Sequence, residues 1–113
     1  MPQATLAEAI PLAIVGCGGM GHRRLGGFVE LAQAGLTPFQ LVGACDPDLG
    51  NANSLADEAQ AKLGGSRPVV AATLDELASA TEVAAIDLTT TPRFHHTIAV
   101  DAFDRGWHVM SEK

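Results

Sequence analysis

Basic residues are scarce in this chain. Seven Lys and Arg stand against thirteen Asp and Glu, a net charge of −6. Without a basic face, non-specific nucleic-acid binding and docking on anionic membrane are both disfavoured, so neither partner is expected. Cysteine is scarcer still. Cys17 and Cys45 are the only two, too few for a disulfide framework, and they read as small apolar residues rather than nucleophiles. No apolar run approaches the ~18–20 residues of a membrane span. Residues 1–9 carry no basic residue and no long apolar core. They read as an N-terminal extension rather than a signal peptide, and a cytoplasmic protein is the default expectation. No internal repeat or low-complexity tract occurs. What remains is a composition of 47% apolar and 18% charged residues over 113 positions, which suits one small globular domain, residues 10–113.

Short apolar runs alternate with helical patterns along the chain. Ile10–Val15 is a buried strand ending in glycines. Met20–Ala34 sets Leu25, Phe28, Val29 and Ala32 at i, i+3, i+4 and i+7, one face of a helix. Phe39–Cys45 is a second strand. Asp48–Leu63 is a second helix, stopped by Gly64-Gly65. Val69–Ala72 is a short third strand, and Thr73-Leu74-Asp75-Glu76 has the capping-box spacing that opens a helix. Val83–Thr89 is a fourth strand, a helix runs from Pro92 to Gly106, and Trp107–Met110 is a fifth strand. Strands and helices in alternation, joined by right-handed crossovers, give an α/β fold. It is a doubly wound parallel sheet, Rossmann-like, of expected strand order 3-2-1-4-5. In such sheets ligands bind at the carboxyl ends of the strands, at the switch point between strands 1 and 4.

The chemistry-bearing residues fall at those ends. Gly16-Cys17-Gly18-Gly19-Met20-Gly21 is a G-x-G-x-x-G between an expected strand and an expected helix, the context in which this spacing cradles a dinucleotide. Gly16 permits the tight turn, Gly18 lets the backbone approach a pyrophosphate, and Gly21 lets helix and strand pack closely. The amides of Gly19 and Met20 face the phosphates at the positive end of the helix. Asp46 ends the second strand, 25 residues beyond Gly21, and suits a carboxylate accepting from the adenosine ribose hydroxyls. It equally suits an Asx-Pro turn with Pro47, and both roles can coexist. Because a ribose 2′-phosphate would meet this carboxylate with no base beside it, NAD is expected over NADP.

Thr89, Thr90 and Thr91 before Pro92 offer hydroxyls to a ribose, a phosphate or a nicotinamide amide. Read blandly, they are an N-cap and turn residues. His95 and His96 point about 100° apart on a helix and cannot share one site, so no metal is expected. Asp87 interrupts the fourth strand and needs a partner. His108, a backbone amide and a solvated sheet end are the options, and a structural role is favoured. His22, after the glycine loop, reads as an exposed helix residue.

Several of these elements together resemble the nucleotide-binding half of the Gfo/Idh/MocA oxidoreductases. They are Ile14-Val15-Gly16-Cys17-Gly18-Gly19-Met20-Gly21, the strand end Cys45-Asp46, Thr91-Pro92 with His96 four residues on, and Gly106-Trp107-His108-Val109-Met110-Ser111-Glu112-Lys113. The resemblance spans Leu12 to Lys113. It implies hydride transfer between a nicotinamide dinucleotide and a carbinol carbon of a sugar, cyclitol or related compound. Lys113 would then contact the reacting substrate oxygen, Glu112 would lie by the nicotinamide ribose, and Thr90, Thr91 and Pro92 would line the cofactor. His96 matches the family's helix histidine.

Two departures matter. Arg24 stands where many members carry histidine. The family's next proline, sixth strand and substrate domain do not occur in these residues. A fragment is therefore expected, which meets its polyol or sugar substrate only with the missing domain and whose fifth-strand edge invites self-association. The alternatives are a nucleotide-binding module without catalysis, a homoserine dehydrogenase-like reductase and, less well matched, an S-adenosylmethionine methyltransferase. The last has no use for the Thr-Thr-Pro and Glu-Lys elements.

Overall fold

The computed structural model describes residues 9–36, 38–90 and 92–111. Nine elements follow one another: β1 (Ile10–Val15), α1 (Gly19–Gln33), β2 (Phe39–Cys45), α2 (Leu49–Leu63), β3 (Val69–Ala71), α3 (Leu74–Ala80), β4 (Ala85–Leu88), α4 (Pro92–Asp104) and β5 (His108–Ser111). The strands form one parallel sheet of order β3-β2-β1-β4-β5, the doubly wound arrangement anticipated from the crossover rule. Thr91, Glu112, Lys113, residues 1–8 and the side chain of Pro92 lie outside the described part.

Both faces of the sheet are covered, which is why its strands are mostly apolar rather than alternating with polar residues, Asp87 of β4 being the buried exception. On β1, Leu12 and Ile14 join the core made with α1 and α2, through Leu25, Val29, Leu55 and Ala56. Ala13 and Val15 point the other way, to Leu74 and Leu77 of α3 and Ala102 of α4. Two of the helices, α2 and α3, are begun by the side-chain caps their sequences contain. Asp48 Oδ1 accepts from the Asn51 N–H at 3.2 Å. Thr73 Oγ1 accepts from the Glu76 N–H at 3.1 Å, and Glu76 returns to the Ala72 N–H at 2.9 Å, a capping box.

The structure differs from expectation at several strand boundaries: β3 ends one residue early, at Ala71, and β4 and β5 differ at both ends. β4 is shorter than Val83–Thr89, because Thr89 already turns out of the strand while its N–H still donates to the Val15 carbonyl at 2.8 Å. β5 starts one residue late. The Trp107 N–H closes the end of α4 by donating to the Ala102 carbonyl at 3.0 Å. The Trp107 indole is buried with the α3–α4 core and has the Arg105 guanidinium 5.5 Å above its ring. Trp107 is therefore a core residue, not part of an open edge. Among the described residues, no helix is long and apolar enough to cross a membrane.

Candidate functional site

At the carboxyl ends of β1, β2, β3 and β4 lies a cleft of about 640 Å³. Its floor is the glycine turn between β1 and α1. Gly16 sits at φ +102°, a region that L side chains rarely adopt, and a Cβ there would press to 2.7 Å from the Thr90 nitrogen. The missing Cβ is what lets the β1 turn lie this close to the β4 turn. A Cβ on Gly21 would overlap the Gly16 carbonyl, so glycine is what allows α1 to start so close to the strand. Gly18 is different. A Cβ there would meet nothing within 4 Å: the space above it is open, on the cleft side, where the turn enters α1. Met20 borders the same space and is exposed.

Asp46 forms one wall. Its Oδ2 accepts from the Cys17 N–H at 2.8 Å and its Oδ1 from the Asp48 N–H at 2.8 Å. The second bond is the Asx turn across Pro47, so this reading and a ligand role coexist. A carboxylate has about four lone-pair positions. Two are used, and acceptor capacity remains on both oxygens. Thr89 turns inward, its hydroxyl donating to the Gly16 and Val15 carbonyls at 2.5 and 3.2 Å. It thereby serves the turn itself, while Thr90 lines the cleft. The far wall is one that sequence reasoning missed. Ala72 and Thr73 after β3, Leu74 at the start of α3, and Phe94, Thr97, Ile98 and Asp101 on α4 line the cleft together. Spacing along α4 (94, 97, 98, 101) was the available signal, but which helix face meets the cleft depends on how the turn before it is held.

The two histidines separate as their helical angle requires. His95 is the one at the turn, its Nε2 donating to the Thr90 carbonyl at 2.8 Å. His96 is exposed on α4 and is not among the cleft residues. His22 is half-buried and paired with Glu58 at 2.5 Å, bridging α1 to α2 rather than facing the cleft. Asp87 is fully buried and its carboxylate takes the Arg24 Nε at 2.7 Å. Asp87 thus pairs with Arg24, whereas His108 lies exposed one strand away opposite Ala85. The structural role expected for Asp87 agrees with this place under α1.

Burial pushes the Cys17 thiol up to about 12 and the Cys45 thiol up to about 11, with the Asp46 charge adding to both. Neither is a thiolate at neutral pH. Among the described residues no three His, Cys, Asp or Glu side chains are grouped to hold a metal ion.

The family model for the oxidoreductase family with an NAD-binding Rossmann fold (GFO_IDH_MocA) matches residues 10–113. The chain belongs to the Gfo/Idh/MocA oxidoreductase family. No curated protein sequence matches it, but solved structures do. A dehydrogenase from Chromobacterium violaceum superposes with TM-score 0.73 at 22% identity, over 94% of this chain and 28% of its own. The WlbA dehydrogenase of the same organism, solved with NADH and UDP-GlcNAcA, gives TM-score 0.72 at 25% identity, over 100% of this chain and 30% of its own. A myo-inositol dehydrogenase from Corynebacterium glutamicum gives 0.71 at 22% identity, over 93% and 28%. This Gfo/Idh/MocA chain therefore spans less than a third of the proteins it resembles and corresponds to their NAD-binding Rossmann domain.

Proposed function

We propose that this Gfo/Idh/MocA domain binds NAD in the cleft between Gly18, Asp46 and Thr90. As part of a longer enzyme it would oxidise or reduce a carbinol carbon of a sugar, cyclitol or related compound. The observation that carries the reading is the open space over Gly18 beside a carboxylate held rigid at Asp46. These residues fit the group the family implies. The turn leaves room for a pyrophosphate where any other residue would place a side chain, and the N-terminus of α1 favours its charge. Asp46 keeps acceptor capacity for two ribose hydroxyls. The WlbA neighbour was solved with NADH, which supports the same ligand class here.

The choice of NAD over NADP follows from Asp46. Two unit charges about 4 Å apart repel by ~1–4 kcal/mol at effective dielectrics of ~80 to 20. Because both Asp46 oxygens are bonded to backbone N–H groups, the carboxylate cannot swing away from a 2′-phosphate.

When bound, the nicotinamide supplies a hydride acceptor or donor at C4. The protein's share is to hold and to exclude. The Gly16–Gly21 turn would hold the phosphates with Met20 beside them, and by the family resemblance Thr90, Thr91 and Pro92 would line the cofactor. By the family resemblance, Glu112 would lie at the nicotinamide ribose, His96 matches the family's helix histidine, and Lys113 would contact the substrate oxygen whose proton moves during the reaction. UDP-GlcNAcA in one neighbour's complex and the myo-inositol specificity named for another support a polyhydroxylated substrate.

The test is a ligand panel. Fluorescence titration with NADH, NADPH and S-adenosylmethionine is expected to show binding in the order NADH, then NADPH, with no competition by S-adenosylmethionine. Equal NADH and NADPH affinities would remove Asp46 from the ribose role. Preferred binding of S-adenosylmethionine would overturn the oxidoreductase reading.

A further inference from the structure

We infer that Asp46 is a positioning residue for the phosphate-facing turn as well as a ribose ligand. Its carboxylate is the clasp that shapes Gly16-Cys17-Gly18 before any nucleotide arrives. The ligand half of this inference rests on the nucleotide reading above, whereas the clasp stands on the geometry of the chain alone.

The argument starts from the backbone donors at the end of β1. The Gly16 N–H makes the last bond to β2, donating to the Cys45 carbonyl at 2.8 Å. One residue further, the Cys17 N–H has left the sheet, and β2 has turned away into Pro47. Cys17 is wholly buried, and a buried backbone N–H requires an acceptor. The acceptor is a side chain from the neighbouring strand end, Asp46 Oδ2 at 2.8 Å. That side chain has little freedom of its own, because Oδ1 is taken by the Asp48 N–H at 2.8 Å. The thiol of Cys17 meanwhile lies 3.5 Å from the Cys45 carbonyl and 3.8 Å from the Ile14 carbonyl. Residue 17 is thus held through its amide by Asp46 and through its side chain by β1 and β2. The turn whose open side faces the cleft is set by these contacts.

A carboxylate near a polyphosphate site should weaken anion binding through charge repulsion alone. The clasp predicts the reverse. Removing Asp46 leaves the Cys17 N–H without its acceptor, the turn loses its shape, and phosphate recognition falls even for a ligand with nothing for Asp46 to bind.

The experiment compares ADP with 2′,3′-dideoxy-ADP by calorimetry on the 113-residue chain and its Asp46→Ala and Asp46→Asn variants. Backbone amide exchange of each is measured without ligand. Asp46→Ala is expected to weaken dideoxy-ADP by about ten-fold or more, the scale of a lost charge-assisted hydrogen bond. Asp46→Asn, which keeps one acceptor oxygen, should fall between. In the ligand-free chain the Cys17 amide should exchange slowly, and at least about ten-fold faster in Asp46→Ala, with the amides of β1 unchanged as the control for folding. Unchanged or improved dideoxy-ADP binding in Asp46→Ala, with ADP weakened, would overturn the clasp and leave a ribose ligand only. A wild-type chain that binds neither nucleotide would contradict the nucleotide reading, and amide exchange at Cys17 would still decide the clasp.

Discussion

Replacing Arg24 by Met should cost this domain a large part of its stability. Arg24 approaches from α1 and its Nε lies 2.7 Å from Asp87 Oδ2, with Asp87 fully buried and Arg24 30% exposed. Asp87 stands in β4 between Ile14 of β1 and Met110 of β5, on the face packed with Leu25 and Ala85. Removing one partner of a buried ion pair costs about 3–5 kcal/mol. Partial exposure of Arg24 places the effect near the lower end of that range. A domain of this size is stable by only about 5–15 kcal/mol, so the midpoint in urea should drop visibly with the slope unchanged. Asp87→Val combined with Arg24→Met removes both charges and leaves apolar groups of similar reach. That double variant should recover most of the loss, giving a coupling of about 2 kcal/mol or more. Urea unfolding followed by circular dichroism and by the single Trp107 measures all four proteins. An Arg24→Met loss under about 1 kcal/mol, or simple additivity in the double variant, would refute the reasoning.

Further outcomes follow from the same structure. Gly18→Val should keep the wild-type fold and melting temperature but lose NADH binding, since its side chain fills the open space where phosphate is proposed to sit. Gly21→Ala should instead unfold more readily, its methyl overlapping the Gly16 carbonyl. Cys17 and Cys45 should resist thiol reagents in the folded chain. Their folded values, about 12 and about 11, lie above the ordinary 9.0, so the stability they contribute is complete below pH 9.0 and lost as pH rises through 11 and 12. Urea midpoints across alkaline pH check the sign, and a rise in stability over that window would contradict it. The 113 residues alone should form no detectable NADH with a panel of polyols and sugars. The chain spans less than a third of the structures it matches, and losing substrate orientation costs several kcal/mol; measurable turnover would contradict the proposal that the activity needs a longer enzyme. Light scattering at rising concentration should show association through β5, the edge strand of the sheet, where Val109 and Met110 are only half-buried; a strict monomer would contradict this.

The fold was legible because each element carries its own punctuation. Glycines end β1, Asp48 and Thr73 cap their helices, and right-handed crossovers narrow five parallel strands to a few doubly wound orders, of which the glycine turn after the first strand favours 3-2-1-4-5. The glycine turn and Asp46 were legible because their spacing along the chain is tied to the strand–turn–helix unit that brings them together. What was not legible depends on contacts between distant residues. Arg24 and Asp87 meet across 63 residues, and only the packing of α1 on β4 selects Arg24 over His108. His95 rather than His96 meets the turn because of the phase of α4, which the Thr89–Gly16 contact helps to set. The α4 wall of the cleft escaped notice for the same reason. Trp107 reads as a strand residue in an apolar run, yet the C-terminal turn of α4 takes its N–H and draws the ring into the core.

The most direct measurement is a map of backbone amide shifts on adding NADH to the isotopically labelled chain. Binding as proposed should move Gly18, Gly19 and Met20, the Asp46–Asp48 turn, and Thr89 and Thr90, leaving the opposite end of the sheet still. A second groove of about 560 Å³, lined by Phe28, Leu31, Leu36 and Phe39, lies at that opposite end and serves as the internal control. Shifts centred on that groove, or none at the glycine turn with NADH in excess, would contradict the account.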